Sequence, residues 1–164
     1  VACGTRNCRI NGKGYALWSV RQPVGIVIIN DGEARALGED TNLVKVAKKI
    51  LARGPKHLIV KRGEYGVLMF NDKQVFGAPA FPLDDVRDPT GAGDTFAGGF
   101  LGYLAATGNR SPEAMRQAII FGSVMASFTV EAFSLDRLRI LDYKEIEARF
   151  KEFKRLTHFE DIEA

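Results

Sequence analysis

Two short runs, residues 25–30 (Gly-Ile-Val-Ile-Ile-Asn) and 57–61 (His-Leu-Ile-Val-Lys), are apolar and rich in β-branched residues, with no polar alternation. A strand that faces water on one side alternates, so runs of this kind belong to a parallel sheet covered on both faces. Between them the sequence predicts two helices. Asp31 and Glu33 with Ala34, Ala36 and Leu37 open a short one at the end of the first run, and Leu43, Val46, Ala47, Ile50 and Leu51 make one apolar face on a second. Asp40 or Thr41 caps the second helix, Gly54-Pro55 stops it, and Lys45, Lys48 and Lys49 fall mainly on its wet side. A strand–helix–strand order of this kind calls for a right-handed parallel crossover.

Beyond the second run, Gly63 and Gly66 bracket a turn, and residues 67–70 and 74–76 flank Asn71-Asp72-Lys73 as a β-hairpin. Pro79 and Pro82 interrupt the chain. Gly108-Asn109-Arg110 ends one helix and Ser111-Pro112-Glu113 begins another, which is small and apolar through residues 118–123 and therefore buried. A last amphipathic helix carries Tyr143, Ile146, Phe150 and Phe153 on one side. The alternation of elements places the chain in the α/β class, with helices on both faces of a mostly parallel sheet. Ligands of such sheets sit beyond the carboxyl ends of the strands, which would gather Asn30, residues 61–63 and residues 88–94 at one edge.

The last of these stretches, Asp88-Pro89-Thr90-Gly91-Ala92-Gly93-Asp94-Thr95-Phe96, carries the chemistry. Apolar residues after it fall at Phe96, Phe100, Tyr103 and Leu104, which is helical spacing, so the glycines form a turn that opens a helix. Without Cβ atoms Gly91 and Gly93 admit positive φ and close approach of a ligand, and the free N–H groups of a helix start attract an anion. Asp94 at the mouth of an anion site is either a first-turn acid of the ordinary kind or a group that takes a proton from a hydroxyl attacking a bound phosphoryl group. The dinucleotide fingerprint would need glycine at Phe96, and the P-loop would need lysine where Gly99 follows Gly98.

This stretch closely resembles the second signature of the ribokinase-like (PfkB) carbohydrate and nucleoside kinases, and the resemblance extends over about residues 26 to 140. It implies a ribokinase-like three-layer αβα fold with a mostly parallel sheet, truncated on its N-terminal side. In that family the matching acid is the catalytic base and the preceding amides form an anion hole, which assigns the base to Asp94 and the hole to Gly91, Ala92 and Gly93. Asn30-Asp31-Gly32-Glu33 resembles the element that helps place hydrated Mg²⁺ and the nucleotide phosphates, implying roles for Asn30 and Glu33; on the residues alone the pair reads as a helix cap and a first-turn acid. Lys61-Arg62-Gly63-Glu64-Tyr65-Gly66 resembles the nucleotide-contacting strand end, with Lys61 where many members have Thr or Ser, so that Lys61, Gly63, Glu64 and Gly66 are nucleotide-binding candidates beside the plain reading of a turn. Phe121 and Gly122 stand where the family builds its adenine pocket, a position that buried helix packing explains equally well. Residues 126–134 depart from the Gly-Ala-rich loop of potassium-dependent members, so monovalent-cation activation is not implied.

The implied activity is transfer of the γ-phosphoryl of ATP, with Mg²⁺, to a hydroxymethyl group of a sugar or nucleoside. The acceptor motif of the family has no counterpart among residues 1–25, so these 164 residues are expected to bind nucleotide and not to turn over alone. The alternative from another class is a non-catalytic nucleotide-binding or assembly module that retains the loop. Residues 1–24 read as an irregular basic lead-in, 25–156 as the nucleotide-binding and catalytic part, and 157–164 as a tail.

Composition excludes several other classes. No apolar run approaches the length that spans a bilayer, and the start lacks the continuous apolar segment of a signal peptide. The net charge of +3 comes largely from Arg6, Arg9, Lys13 and Arg21, but aromatic residues there do not interleave with the cations as a nucleic-acid stacking surface needs. Cys3 and Cys8 have no nearby histidine to complete a metal site, and so few cysteines suit a reduced, cytoplasmic setting with free thiols. A sheet that begins part-way through its family's order exposes an edge and an apolar surface, from which a homodimer or an aggregation-prone monomer is expected.

Overall fold

The computed structural model describes residues 2–4, as backbone, and residues 24–162. They fall into two compact units, Val1–Gly77 and Ala78–Ala164.

The first unit is built on a five-stranded sheet in the order β1 (Ala2–Gly4), β2 (Ile26–Asn30), β3 (His57–Lys61), β4 (Val67–Phe70) and β5 (Val75–Ala78). Strands β1, β2 and β3 run parallel, with Ile26 opposite His57 and Asn30 opposite Lys61, whereas β4 returns antiparallel to β3 with Lys61 opposite Val67. The sheet is therefore mixed rather than mostly parallel, because the hairpin supplies two of its five strands. Asn71 makes the hairpin turn: its N–H donates to the Gln74 carbonyl at 3.2 Å, and its side-chain oxygen accepts from the Lys73 and Gln74 amides at 2.8 Å each. The two unalternated runs behave as expected, with Val27, Ile28, Ile29, Leu58, Ile59 and Val60 all buried. Residues 1–24 read as irregular, yet the backbone of 2–4 forms a strand, since three residues are too few to show a pattern and gain their order by pairing with β2. The remaining basic lead-in, with Arg6, Cys8, Arg9, Lys13 and Arg21, lies outside the described residues.

Helices α1 (Asp31–Gly38) and α2 (Leu43–Leu51) share a core with one face of this sheet, in which Ala34, Leu37, Val46, Ala47 and Ile50 meet Val27, Ile29, Leu58, Val60 and Phe70. The cap of α2 is Asn42, not Asp40 or Thr41. Its side-chain oxygen accepts from the Val44 and Lys45 amides, while Asp40 sits two residues outside and accepts from the Asn42 amide at 2.9 Å. Lys49, exposed like Lys45 and Lys48, donates to the Gly38 carbonyl at 2.8 Å, satisfying an orphan acceptor at the end of α1.

The second unit is helical: α3 (Ala92–Thr107), α4 (Pro112–Thr129), α5 (Asp136–Ile140) and α6 (Tyr143–Thr157). As the sequence indicates, Gly108 ends α3 in a left-handed conformation (φ 62) and Ser111 caps α4, accepting from the Ala114 amide at 3.2 Å. Helices α3 and α4 cross closely through glycines. A Cβ on Gly122 would stand 2.7 Å from the Phe96 carbonyl oxygen, and one on Gly99 would stand 3.1 Å from the Gly122 Cα. Phe153 of α6 is fully buried, 5.8 Å from the Phe81 ring. Ile146 and Phe150 are half-buried beside it, but Tyr143 is 72% exposed, because it stands at the first position of the helix just past the Asp142 cap. Among the described residues, no helix is long and apolar enough to cross a membrane.

Candidate functional site

In the second unit the candidate residues gather at the start of α3. Gly91 is its N-cap, in a left-handed conformation (φ 83) that an L side chain would strain, and a Cβ there would meet nothing within 4 Å. Gly91 and Asp94 are exposed; Ala92 and Gly93 are half-buried. The Gly91 carbonyl accepts from the Thr95 amide at 2.8 Å and begins the helix ladder. The Ala92 N–H donates to the Pro89 carbonyl at 3.2 Å, a bond within the turn. Asp94 occupies the third helical position, where the positive end of a 16-residue helix favours a carboxylate.

The approach to this turn is anchored from both sides. The Asp88 carboxylate accepts from the Thr90 amide at 2.9 Å, and the Thr90 hydroxyl followed by that amide holds the Asp88 pKa below its ordinary 3.8. The Val130 carbonyl at the end of α4 accepts from the Arg87 amide at 2.8 Å and the Asp88 amide at 3.4 Å. Of the two adenine-pocket candidates, Phe121 is half-buried with its ring 5.5 Å from Tyr103, and Gly122 is closed over by Phe96. The packing that the sequence left open for Gly122 is thus present: the missing side chain lets α3 and α4 touch.

In the first unit the candidates gather at the carboxyl ends of β2 and β3, where Asn30 and Lys61 are register partners. Asn30 and Glu33 form a reciprocal capping box. The Glu33 amide donates to the Asn30 side-chain oxygen at 2.7 Å, and the Asn30 amide donates to a Glu33 carboxylate oxygen at 2.9 Å. Glu33 is only 3% exposed, and the register sets its capping partner Asn30 opposite Lys61. The turn after Lys61 is a single 3₁₀ turn, Gly63–Tyr65, entered and left through positive φ at Gly63 (57) and Gly66 (79). The Gly66 carbonyl accepts from the Arg62 amide at 2.8 Å, Glu64 and Tyr65 are exposed, and the Arg62 guanidinium lies 5.7 Å from the Tyr65 ring centroid. Among the described residues no three His, Cys, Asp or Glu side chains could close around a metal ion. Asn30 and Glu33 carry hard oxygens of the kind Mg²⁺ takes, one on each side chain already accepting a backbone amide of the capping box.

Sequence reasoning missed one constellation. Glu131, Arg137, Glu145 and Arg149 converge around Phe128 in the second unit. Glu145 and Arg149 are four apart on α6, but the contacts that join them to Glu131 and Arg137 span 6 to 18 residues, so no local signal marks the cluster.

Comparison with known proteins supplies a frame for these features. Residues 17–138 match the family described as pfkB family carbohydrate kinase. The cytidine kinase of Thermococcus kodakarensis is 40% identical over 83 residues, 49% of this chain and 30% of that protein. Among solved structures, a ribokinase from Thermotoga maritima superposes with a TM-score of 0.64 at 32% identity, covering 79% of this chain and 42% of that one. The adenosine kinase from Sinorhizobium meliloti gives 0.73 at 26% identity, covering 90% of this chain and 43% of that one. The chain spans less than half the length of each of these proteins.

Proposed function

We propose, from the premise that this chain belongs to the pfkB family of carbohydrate kinases and has their ribokinase-like α/β fold, that it carries the nucleotide-binding and catalytic part of an ATP-dependent phosphotransferase. The acceptor is a hydroxymethyl group of a sugar or nucleoside. The observation that carries this is the start of α3: Gly91 in left-handed backbone at the positive end of a long helix, with an exposed carboxylate, Asp94, on the first turn. In the proposed reaction the acceptor oxygen attacks the γ-phosphorus, the bond to the β–γ bridging oxygen breaks, ADP leaves, and the hydroxyl proton passes to Asp94. Amides at 91 to 93 would stabilise charge on the transferring group, the Ala92 N–H redirecting part of its bond from the Pro89 carbonyl to a phosphoryl oxygen. Asn30 and Glu33 would hold hydrated Mg²⁺, which neutralises charge on the nucleotide phosphates. Lys61 and the turn of Gly63, Glu64 and Gly66 would contact the nucleotide, Lys61 as a point charge.

Two titrations test this. Calorimetry with ATP and Mg²⁺ should show binding that Gly91→Val weakens by about tenfold or more, because the side chain strains the left-handed position. Asp94→Asn should leave that affinity within a few-fold while lowering any phosphotransfer, over a panel of sugars and nucleosides, by about 10²–10⁴. Binding without transfer to any acceptor supports the non-catalytic module instead. Transfer that survives Asp94→Asn removes Asp94 as the base.

A further inference from the structure

We propose that Glu131, Arg137, Glu145 and Arg149 are positioning residues for the 87–94 loop, acting through the Val130 carbonyl. Val130 closes α4, and its oxygen is the acceptor from which the Arg87 and Asp88 amides hang, at 2.8 and 3.4 Å. The next residue, Glu131, is gripped at both carboxylate oxygens. One accepts from Arg137 Nε at 3.0 Å, and the other lies 2.6 Å from an Arg149 guanidinium nitrogen. Each arginine is fixed again from a second side. Arg137 pairs with Glu145, and Arg149 donates to the Ser127 hydroxyl at 3.1 Å. Both guanidinium groups lie over one ring: Arg149 is 3.6 Å and Arg137 4.9 Å from the Phe128 centroid, and Arg149 is also 5.0 Å from Phe81.

The side chains of Glu131, Arg137 and Arg149 are only 17 to 23% exposed, so their pairing is partly shielded from screening by solvent. A network of this kind is weak evidence for stability, since removing charges from water offsets much of their attraction. What it fixes is geometry. Planar arginines bound at two ends and stacked on a ring leave Glu131 one place to sit, and through one peptide unit they fix the direction of the Val130 carbonyl. Asp88, held there by its amide, then folds its carboxylate onto the Thr90 amide one residue before Gly91. The chain of contacts thus runs from α5 and α6 to the turn that opens α3. Its bearing on catalysis rests on the kinase reading above, where small displacements of a reacting group are costly in rate; the mechanical coupling does not.

Amide hydrogen exchange by NMR on this chain tests the coupling in Glu131→Ala and Glu131→Gln. Loss of the grip should speed exchange of the Arg87 amide by about tenfold in Glu131→Ala, the worth of one hydrogen bond, and by less in Glu131→Gln, which retains one acceptor oxygen. Amide shifts of Gly91 and Gly93 should move in the same order, with exchange at Phe100 and Ile119 unchanged. If Glu131→Ala does not fold, Glu131→Gln and Arg149→Lys decide by the same amides. Exchange that rises equally at Arg87, Phe100 and Ile119, or not at all at Arg87, overturns the proposal. A parallel ATP titration separates the two claims: wild-type chain that binds no ATP removes the kinase reading while the exchange data still decide the coupling.

Discussion

Gly122→Ala is the sharpest probe of the α3–α4 crossing. The new Cβ would lie 2.7 Å from the Phe96 carbonyl oxygen and 3.1 and 3.2 Å from two carbons of its ring, so α3 must retreat by about 0.7 Å to restore an ordinary 3.4 Å contact. Backbone cannot swing aside as a side-chain tip can, and overpacking of this kind costs about 1–3 kcal/mol. Against it stands the helix preference for Ala over Gly, about 0.8–1 kcal/mol. The net expectation is a loss of about 0–2 kcal/mol. Gly98→Ala is the matched control: a Cβ there meets nothing within 4 Å, so only the gain of about 0.4–1 kcal/mol operates. Urea midpoints and thermal melts of the two variants should therefore part by about 1–3 kcal/mol, or several degrees, with Gly98→Ala above wild type. Equal stability of the two variants would refute the close crossing.

Three further outcomes are expected. Phe153→Ala empties a fully buried position beside Phe81 and should cost about 3–5 kcal/mol by urea unfolding; a loss below about 1 kcal/mol would mean that α6 does not pack as described. Asn30→Ala removes the acceptor of the Glu33 amide and should cost about 1 kcal/mol, whereas Asn30→Asp, which keeps that acceptor, should not. Stability should fall in two steps as pH is lowered. Burial holds His57 below its ordinary 6.5, so the stability it contributes is full above 6.5 and drains as the pH falls through that value, a slope His57→Gln removes. The Thr90 hydroxyl holds Asp88 below 3.8 and the Arg137 hydrogen bond holds Glu145 below 4.5, so their contribution is present above those values and is lost as pH falls past them. A single transition, or stability that rises on acidification, would contradict these assignments.

The elements that a local pattern defines were legible. The unalternated runs at 26–30 and 57–61 became buried parallel neighbours, and the Gly108 and Ser111 signals bounded α3 and α4 where they stand. The glycine turn at 91–94 was placed correctly at a helix start. What local pattern could not supply was competition between adjacent caps: Asp40, Thr41 and Asn42 are all cap formers, and only tertiary placement selects Asn42. Tyr143 fits the helical period of α6 but stands at its first residue, where period says nothing about cover. The ion pairs of the Glu131 cluster join residues 6 to 18 apart across separate elements, and the bond from the Ala92 amide to the Pro89 carbonyl is a detail of turn geometry below the resolution of any motif.

The change of direction at β3 also divides the time course of folding. The β3–β4 and β4–β5 pairings close over a few residues, and hairpins of that kind form in about 1–10 μs. The β2–β3 pairing cannot begin until residues 31–56, with both helices, have crossed back over the sheet, a longer and entropically dearer loop. The carboxyl ends of β2 and β3, where Asn30 faces Lys61, therefore come together late, against a hairpin already waiting as their template.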